Sequence, residues 1–322
     1  MRRLSMTKKT ADWTIALVSA AWGSSYLLMK MGLGGMEPFT LIAWRFLLAF
    51  GLTAPLFWGR LRLSDLKTIG RSAVLGFVMF VMLGLLITGL ETTTASSAGF
   101  LTSAMVVFVP MLQIAITRRK PTFAMTSGIL LTMGGIALLT LRGSLTFEGG
   151  SALCLLGAFV YAVHIILTNR FTRQSDGLSL GVLQIGFIGL FGLLFGFAFE
   201  TPTLPQGTSE WTSVIGLAVI CSAFGYIAQT VAQKYTTPER IGVLFSLEPV
   251  FAALFGFVFL GEMLGLQGYL GALLILGGVL VSGMKKAPLR SLPRPPGIPG
   301  RSRRSASRVR AKETELGSGT GA

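Results

Sequence analysis

A chain of 322 residues with 52% hydrophobic and 13% charged residues, and a mean hydropathy of +0.68, carries about half the charge of a soluble domain, where roughly 25% is usual. That composition excludes a soluble globular protein. The excess of 28 Lys+Arg over 13 Asp+Glu would point a soluble chain to nucleic acid, but here it sits in short loops and one tail, so the bilayer is the expected partner and nucleic acid is not.

About 20 apolar residues cross a bilayer as a helix. By that measure ten spans are predicted, at 12–31, 39–58, 71–90, 95–116, 123–141, 150–168, 179–199, 211–231, 239–260 and 266–284. The first follows Lys8-Lys9 and is too long for the apolar core of a signal peptide, so it counts as a span. Cys154 and Cys221 fall inside apolar runs with no CxxC spacing, and read as small buried residues, not as a disulfide or metal ligands. The last 38 residues, from Lys285, are rich in Pro, Arg, Ser and Gly and cannot bury a core; a solvated basic tail attracted to anionic lipid is expected.

The fourth and fifth spans are copied by the ninth and tenth. Thr93–Leu141 falls on Thr236–Met284 without a gap at a shift of 143 residues, with 12 of 49 positions identical. Among them are Gly99/Gly242, Ser103/Ser246, Val107/Val250, Phe108/Phe251 and Gly134-Gly135/Gly277-Gly278. An internal repeat follows. Placing both ends of a ten-span chain on one side puts 25 of the 28 Lys and Arg there, against Lys30 and Arg142 opposite and Arg45 inside a span. The positive-inside rule then makes both ends cytoplasmic. Five spans per repeat is an odd number, so the halves are expected upside down relative to each other. Loop charge agrees: Arg118-Arg119-Lys120 is matched by Gly261-Glu262-Met263. The predicted fold is all-α and integral to the membrane, ten transmembrane helices from two inverted five-helix repeats. Its parts are a basic N-terminus 1–11, a first repeat 12–141, a second 142–284 and a tail 285–322. Inverted repeats belong to secondary transporters that rock around a midplane site.

The stretches AAWGSSYLLMKMGL in span 1, AWRFLLAF in span 2, TTASSAGFLTSAMVVFVP in span 4 and SLEPVFAALFGFVFLGEMLGLQGYLGALLILGGVLV in spans 9–10 resemble the EamA-type transporters of the drug/metabolite transporter superfamily. The resemblance covers residues 12–284. It implies a ten-helix bundle of two inverted repeats that exports amino acids, other metabolites or toxic compounds. Arg118-Arg119-Lys120 departs from the family pattern, where Gly-Glu is frequent.

A charge near the bilayer centre costs about 2.5–3.5 kcal/mol on insertion scales, so intramembrane polar residues are the candidates for function. Arg45 in span 2 suits a carboxylate or phosphate of the solute, or a fixed structural partner; its repeat counterpart is Gln184. Glu248 precedes Pro249 mid-span and is a candidate proton carrier, a static partner for Arg45, or part of a kink. Pro110 in span 4 is expected to kink similarly, though four positions off the equivalent point. His164, the single histidine, suits cavity hydrogen bonding or proton coupling. Trp22, Ser24, Ser25, Tyr26, Thr102, Ser103, Tyr161 and Ser246 are the expected cavity lining, with helix packing as the alternative reading, and Gln229 and Gln233 are weaker candidates. No HExxH, Walker A or GxSxG motif occurs, so neither an enzyme nor a cofactor is expected. Uphill transport then draws on an ion or solute gradient, with protons the favoured ion. Facilitated uniport and a scaffold whose basic tail recruits a partner are the competing functions.

Overall fold

The computed structural model describes residues 6–92, 95–118, 121–140, 149–260 and 266–283. The expected tail, the basic Arg119-Lys120, and Arg142, Glu148 and Glu262 lie outside the described residues. What is described belongs to one compact unit, Met1–Lys285, and contains helices and connecting turns without strands.

Five helices are long and apolar enough to cross a membrane: Pro38–Leu61 (α3), Leu66–Thr92 (α4), Gly150–Thr172 within Gly149–Thr172 (α8), Gly177–Phe199 (α9) and Thr208–Gln233. The last is made of α10 (Thr208–Gly216), a wide π-helical stretch (Leu217–Phe224) and α11 (Gly225–Gln233). The other five predicted spans are helical but shorter or interrupted. They comprise α1 (Lys8–Gly23) with α2 (Ser25–Gly32), α5 (Ala95–Ser103) with α6 (Met105–Thr117), α7 (Phe123–Thr140), α12 (Pro238–Phe245) with α13 (Glu248–Leu260), and α14 (Leu266–Gly283).

Local chemistry sets the ends. Thr7 accepts from Thr10 N at 3.1 Å and Asp176 from Ser179 N at 3.0 Å, each covering a free N–H of a first turn. Asp65 does the same for Thr68 at 3.0 Å, and that bonding holds its carboxyl below the usual carboxylate range. The N-terminus of α3 is capped from another helix: Glu200, at the end of α9, accepts from Phe39 N and Thr40 N at 2.7 Å each and from Thr40 Oγ1 at 2.8 Å.

Two helices are interrupted at equivalent points. The break after α5 falls at Ala104, whose N–H turns to Leu101 O at 3.1 Å; the break after α12 ends at Leu247, whose N–H turns to Leu244 O at 3.1 Å. These two tightened turns are 143 residues apart, the shift of the repeat. Helix α12 ends at Phe245, the carbonyl that Pro249 has no N–H to meet, and Pro249 lies in the first turn of α13, whereas α6 runs through Pro110, six residues beyond the break at Ala104. What the breaks share is a serine bonding back to its own helix, Ser103 to Gly99 O (2.8 Å) and Ser246 to Val243 O (2.5 Å), a competitor of the regular ladder. Ser24 and Ser25 likewise bond to Ala21 O and Trp22 O, both at 2.7 Å, where α1 gives way to α2.

Packing sets α3 against α9 and α7 against α14. Other contacts exchange with the repeat: α4 on α8 corresponds to α11 on α1, and α5 and α6 on α8 to α12 and α13 on α1. The α7–α14 crossing is reciprocal at the atomic level. A Cβ on Gly135 would stand 2.5 Å from Gly271 O and 2.7 Å from Ile275 N. One on Gly278 would press against Thr132 and stand 2.6 Å from Gly128 O. Gly128 and Thr132 are the 143-residue equivalents of Gly271 and Ile275, so each helix uses the same glycine to admit the same surface of its mate.

Within a largely apolar core the bundle buries Arg45, His164, Gln184, Gln229, Gln233 and Glu248, while Leu56, Trp58, Phe197, Phe199, Leu273 and Leu280 are exposed. Large apolar side chains facing outward on many elements are what lipid requires.

Candidate functional site: a charged and aromatic cavity

The core of the bundle is an aromatic cluster around Trp22. Its ring lies 5.0 Å from Phe245, 5.2 Å from Tyr226 and 6.1 Å from Tyr161, and Tyr161 stacks on Phe245 at 5.8 Å and 17°. The wide stretch in the eighth span fixes Trp22. There the Gly225 N–H turns to Ile220 O and Ser222 O, which leaves Cys221 O to accept from Trp22 Nε1 at 2.8 Å. Gly225 has to be a glycine at this point, because a Cβ would stand 2.5 Å from that indole nitrogen.

Beside this cluster is a small cavity of about 30 Å³, room for a water or two. One wall is polar and aromatic: Trp22, Ser25, Tyr26, Thr102, Tyr161 and Tyr226. Facing it are Met29, Met79, Met82, Leu83 and Leu86, and the two charged residues are Arg45 and Glu248.

Arg45 is 2% exposed. Its Nε donates to Ser222 Oγ at 3.1 Å, its guanidinium lies 4.8 Å from the Phe46 ring centre, and Nη1 has no partner. Glu248 is 6% exposed and lines the cavity together with Tyr26. Among the described residues the ion pairs are Arg60–Asp176 at 3.9 Å and Arg240–Asp12 at 3.3 Å. Arg45 and Glu248 therefore face one cavity without forming the static pair that the sequence left open. Two opposite charges held apart in a low-dielectric interior are costly unless each is compensated.

Of the sequence candidates, Trp22, Ser25, Tyr26, Arg45, Thr102, Tyr161 and Glu248 meet at the cavity. Ser24, Ser103 and Ser246 spend their hydroxyls on their own helices, and Pro110 and Pro249 are not among its lining. His164 and Gln184 form a separate buried group, with His164 Nε2 3.2 Å from Gln184 Oε1 and Gln184 Nε2 donating to Thr230 Oγ1 at 2.8 Å. Arg45 and Gln184 are thus repeat equivalents with different surroundings. Tyr226 was missed, although three of only five tyrosines line this cavity, a scarcity that marks it. The methionine and leucine wall was missed because apolar residues in an apolar span give no signal. Among the described residues no cluster of His, Cys, Asp and Glu has metal-binding geometry.

Comparison with known proteins places this architecture. The EamA-like transporter family profile matches twice in tandem, over residues 9–141 and 149–284. An uncharacterized transporter of Archaeoglobus fulgidus is 30% identical over 275 residues, covering 85% of this chain and 86% of that protein. Another of the same organism is 27% identical over 292 residues, covering 84% and 96%. The uncharacterized transporter YdfC of Bacillus subtilis is 24% identical over 290 residues, covering 87% and 94%. A solved crystal structure superposes with a TM-score of 0.72 at 18% identity, over 85% of this chain and 96% of that one, a likeness of fold. The chain, a multi-pass membrane transporter, belongs to the EamA-like transporter family.

Proposed function

We propose that this transporter exports a small amphipathic solute bearing both a carboxylate and an amine, of the kind an apolar amino acid presents, by alternating access across the cytoplasmic membrane. The observation that carries the reading is a cavity in which Arg45, with an Nη1 that has no partner, and Glu248 face the same space without an ion pair between them. Arg45 receives the carboxylate through its planar fork. Glu248 and the hydroxyls of Tyr26 and Tyr161 receive the amine, and Met29, Met79 and Met82 take the apolar body with the adaptability of unbranched thioether chains.

In the same reading the chain forms ten spans as two inverted repeats with both ends cytoplasmic. The reciprocal Gly135/Gly278 crossing and the paired breaks at Ala104 and Leu247 support the symmetry, and the bias of Lys and Arg to one side supports the orientation. The serine-marked breaks at Ser24, Ala104 and Leu247 are the joints that let half-helices tilt around the cavity. Glu248 carries the coupling proton: it binds the proton when the site is empty and releases it when an ammonium arrives.

The test uses proteoliposomes with an imposed pH gradient and labelled zwitterionic, anionic and uncharged solutes. Arg45→Ala is expected to depress transport of carboxylate-bearing solutes far more than that of neutral analogues. Equal losses for all classes would remove Arg45 from the solute. Glu248→Gln is expected to leave solute binding measurable and to flatten the dependence on the pH gradient; an unchanged dependence would leave a uniporter.

A further inference from the structure

Next to the cavity, three helices turn polar side chains towards one another. On α8, Tyr161 is followed at helical spacing by His164, Thr168 and Thr172; on α11, Tyr226 is followed by Gln229, Thr230 and Gln233; α9 contributes Gln184. Tyr161 and Tyr226 line the cavity, so both series start there and run towards the helix ends that carry Arg170, Arg173 and Lys234.

Part of this seam is bonded. Thr168 Oγ1 lies 3.4 Å from His164 Nε2, and Thr230 Oγ1 donates to Tyr226 O at 2.6 Å. The remainder is not. The Tyr161 hydroxyl, His164 Nδ1 and both amide atoms of Gln229 and Gln233 have no partner, although Tyr161 is 2% exposed and His164, Gln229 and Gln233 are 0% exposed. A single unmatched buried group is uncommon in folded proteins, and its penalty is greatest in a membrane interior. Six such atoms gathered on two neighbouring helices mark a surface built to meet something polar.

At its far end the seam closes on a knot of bonds. Asn169 Nδ2 donates to Gln233 O at 2.6 Å and to Thr236 O at 3.0 Å. Thr236 Oγ1 donates to Asp12 at 3.2 Å, and Asp12 pairs with Arg240 at 3.3 Å. Arg240 reaches on to Val279 O at 3.0 Å. The knot ties α8, α1, α12 and α14 together across the mouth of the seam.

We infer that the seam between α8 and α11 is the cytoplasmic leg of the solute's route, with Gln229 and Gln233 as its hydrogen-bonding lining and the Asp12–Arg240 knot as its closure. It rests on reading the Arg45–Glu248 cavity as the solute's central station. The lining sets the class of solute: carboxamides offer a donor and an acceptor each and no net charge, which suits a zwitterion or an uncharged polar molecule and gives a net ion no counter-charge.

The test has two arms. In the first, the unaltered protein in liposomes is footprinted with hydroxyl radicals generated in water, and uptake of oxygen is read by mass spectrometry. His164 and Tyr161 are expected to react several-fold faster than Phe46, which is equally buried but belongs to the apolar core. Rates no higher than that of Phe46 would overturn the route. In the second arm, Gln229→Cys, Gln233→Cys and the core control Ile185→Cys are placed in a Cys154→Ala/Cys221→Ala background and treated with an impermeant cationic thiosulfonate in inside-out vesicles. The two glutamine positions are expected to react, faster when Asp12→Asn loosens the knot, and Ile185→Cys to stay silent. Silence at both glutamine positions with the knot loosened overturns the proposal. Labelling together with charge-indifferent transport in Arg45→Ala would keep the route and discard the cavity assignment, so the two readings fail separately.

Discussion

Gly225→Ala is a small change with a large expected reach. The added methyl would start 2.5 Å from Trp22 Nε1, 3.2 Å from Cε2 and 3.4 Å from Cδ1. Ordinary contact begins near 3.4 Å, so the indole nitrogen has to retreat by about 0.9 Å and leave its 2.8 Å bond to Cys221 O. A buried donor and a buried acceptor are then both unmatched, about 1–3 kcal/mol for each such group. Displacing the ring adds roughly 1–3 kcal/mol of overpacking. The low ends of these three contributions together give a loss of about 3 kcal/mol, read as a lowered midpoint in thermal unfolding of the detergent-solubilised protein. Trp22→Phe supplies the check, since phenylalanine has no indole nitrogen to be struck and no bond to lose. In that background Gly225→Ala should cost far less, with a coupling of about 1–3 kcal/mol between the two sites. Equal cost in both backgrounds would refute the contact as the source of the effect, and with it the role of the wide turn in holding Trp22.

Other perturbations probe the remaining joints. Gly135→Leu and Gly278→Leu strike reciprocal positions of one crossing, so each is expected to lower stability by about 1–3 kcal/mol and by similar amounts; a large loss from one alone would show that the crossing is not symmetric. Asp12→Asn leaves the half-buried Arg240 without its carboxylate and is expected to cost about 1–3 kcal/mol, with Arg240→Gln in the same background adding little more. Thr40→Val removes one of three donors to Glu200 and is expected to cost about 0.5–1.5 kcal/mol, measured the same way. Cysteines at positions 120 and 263 should react with impermeant reagent from opposite faces of intact cells, and reaction from one face would end the inverted arrangement.

Much of this was readable before any coordinates, and the reasons lie in particular residues. The 143-residue shift was visible as twelve identities and reappears in space as the Gly135/Gly278 exchange, because close backbone contact admits only glycine on both helices. Arg45 and Glu248 stood out because charge is rare inside an apolar run. The break before Pro249 follows from a residue visible in the sequence, while the one at Ala104 lies away from Pro110; a serine bonding back to its own helix has the same letter as one facing a cavity. For that reason Ser103 and Ser246 were expected in the lining and are instead turned onto their own backbones. Gln229 and Gln233 gave only a weak signal, because what distinguishes them is that every amide atom is buried and unmatched, and burial is a property of the neighbours. The wall formed by Met29, Met79 and Met82 had no signal at all, since nothing in a greasy helix says which greasy face looks inward.

The clamp at Glu200 has a further consequence for how such a molecule can move. It fastens the start of α3 to the end of α9, and below it Gly189 and Gly192 bring the two backbones so close that a Cβ would stand 2.9 Å from Leu47 N and 2.8 Å from Ala43 N. Sliding one against the other would tear the cap and jam the glycine face together, so the pair behaves as a fixed mast. In the mechanism we propose, Arg45, carried on that mast, would keep its height while the jointed helices swing about it, and the solute would be handed past a stationary charge.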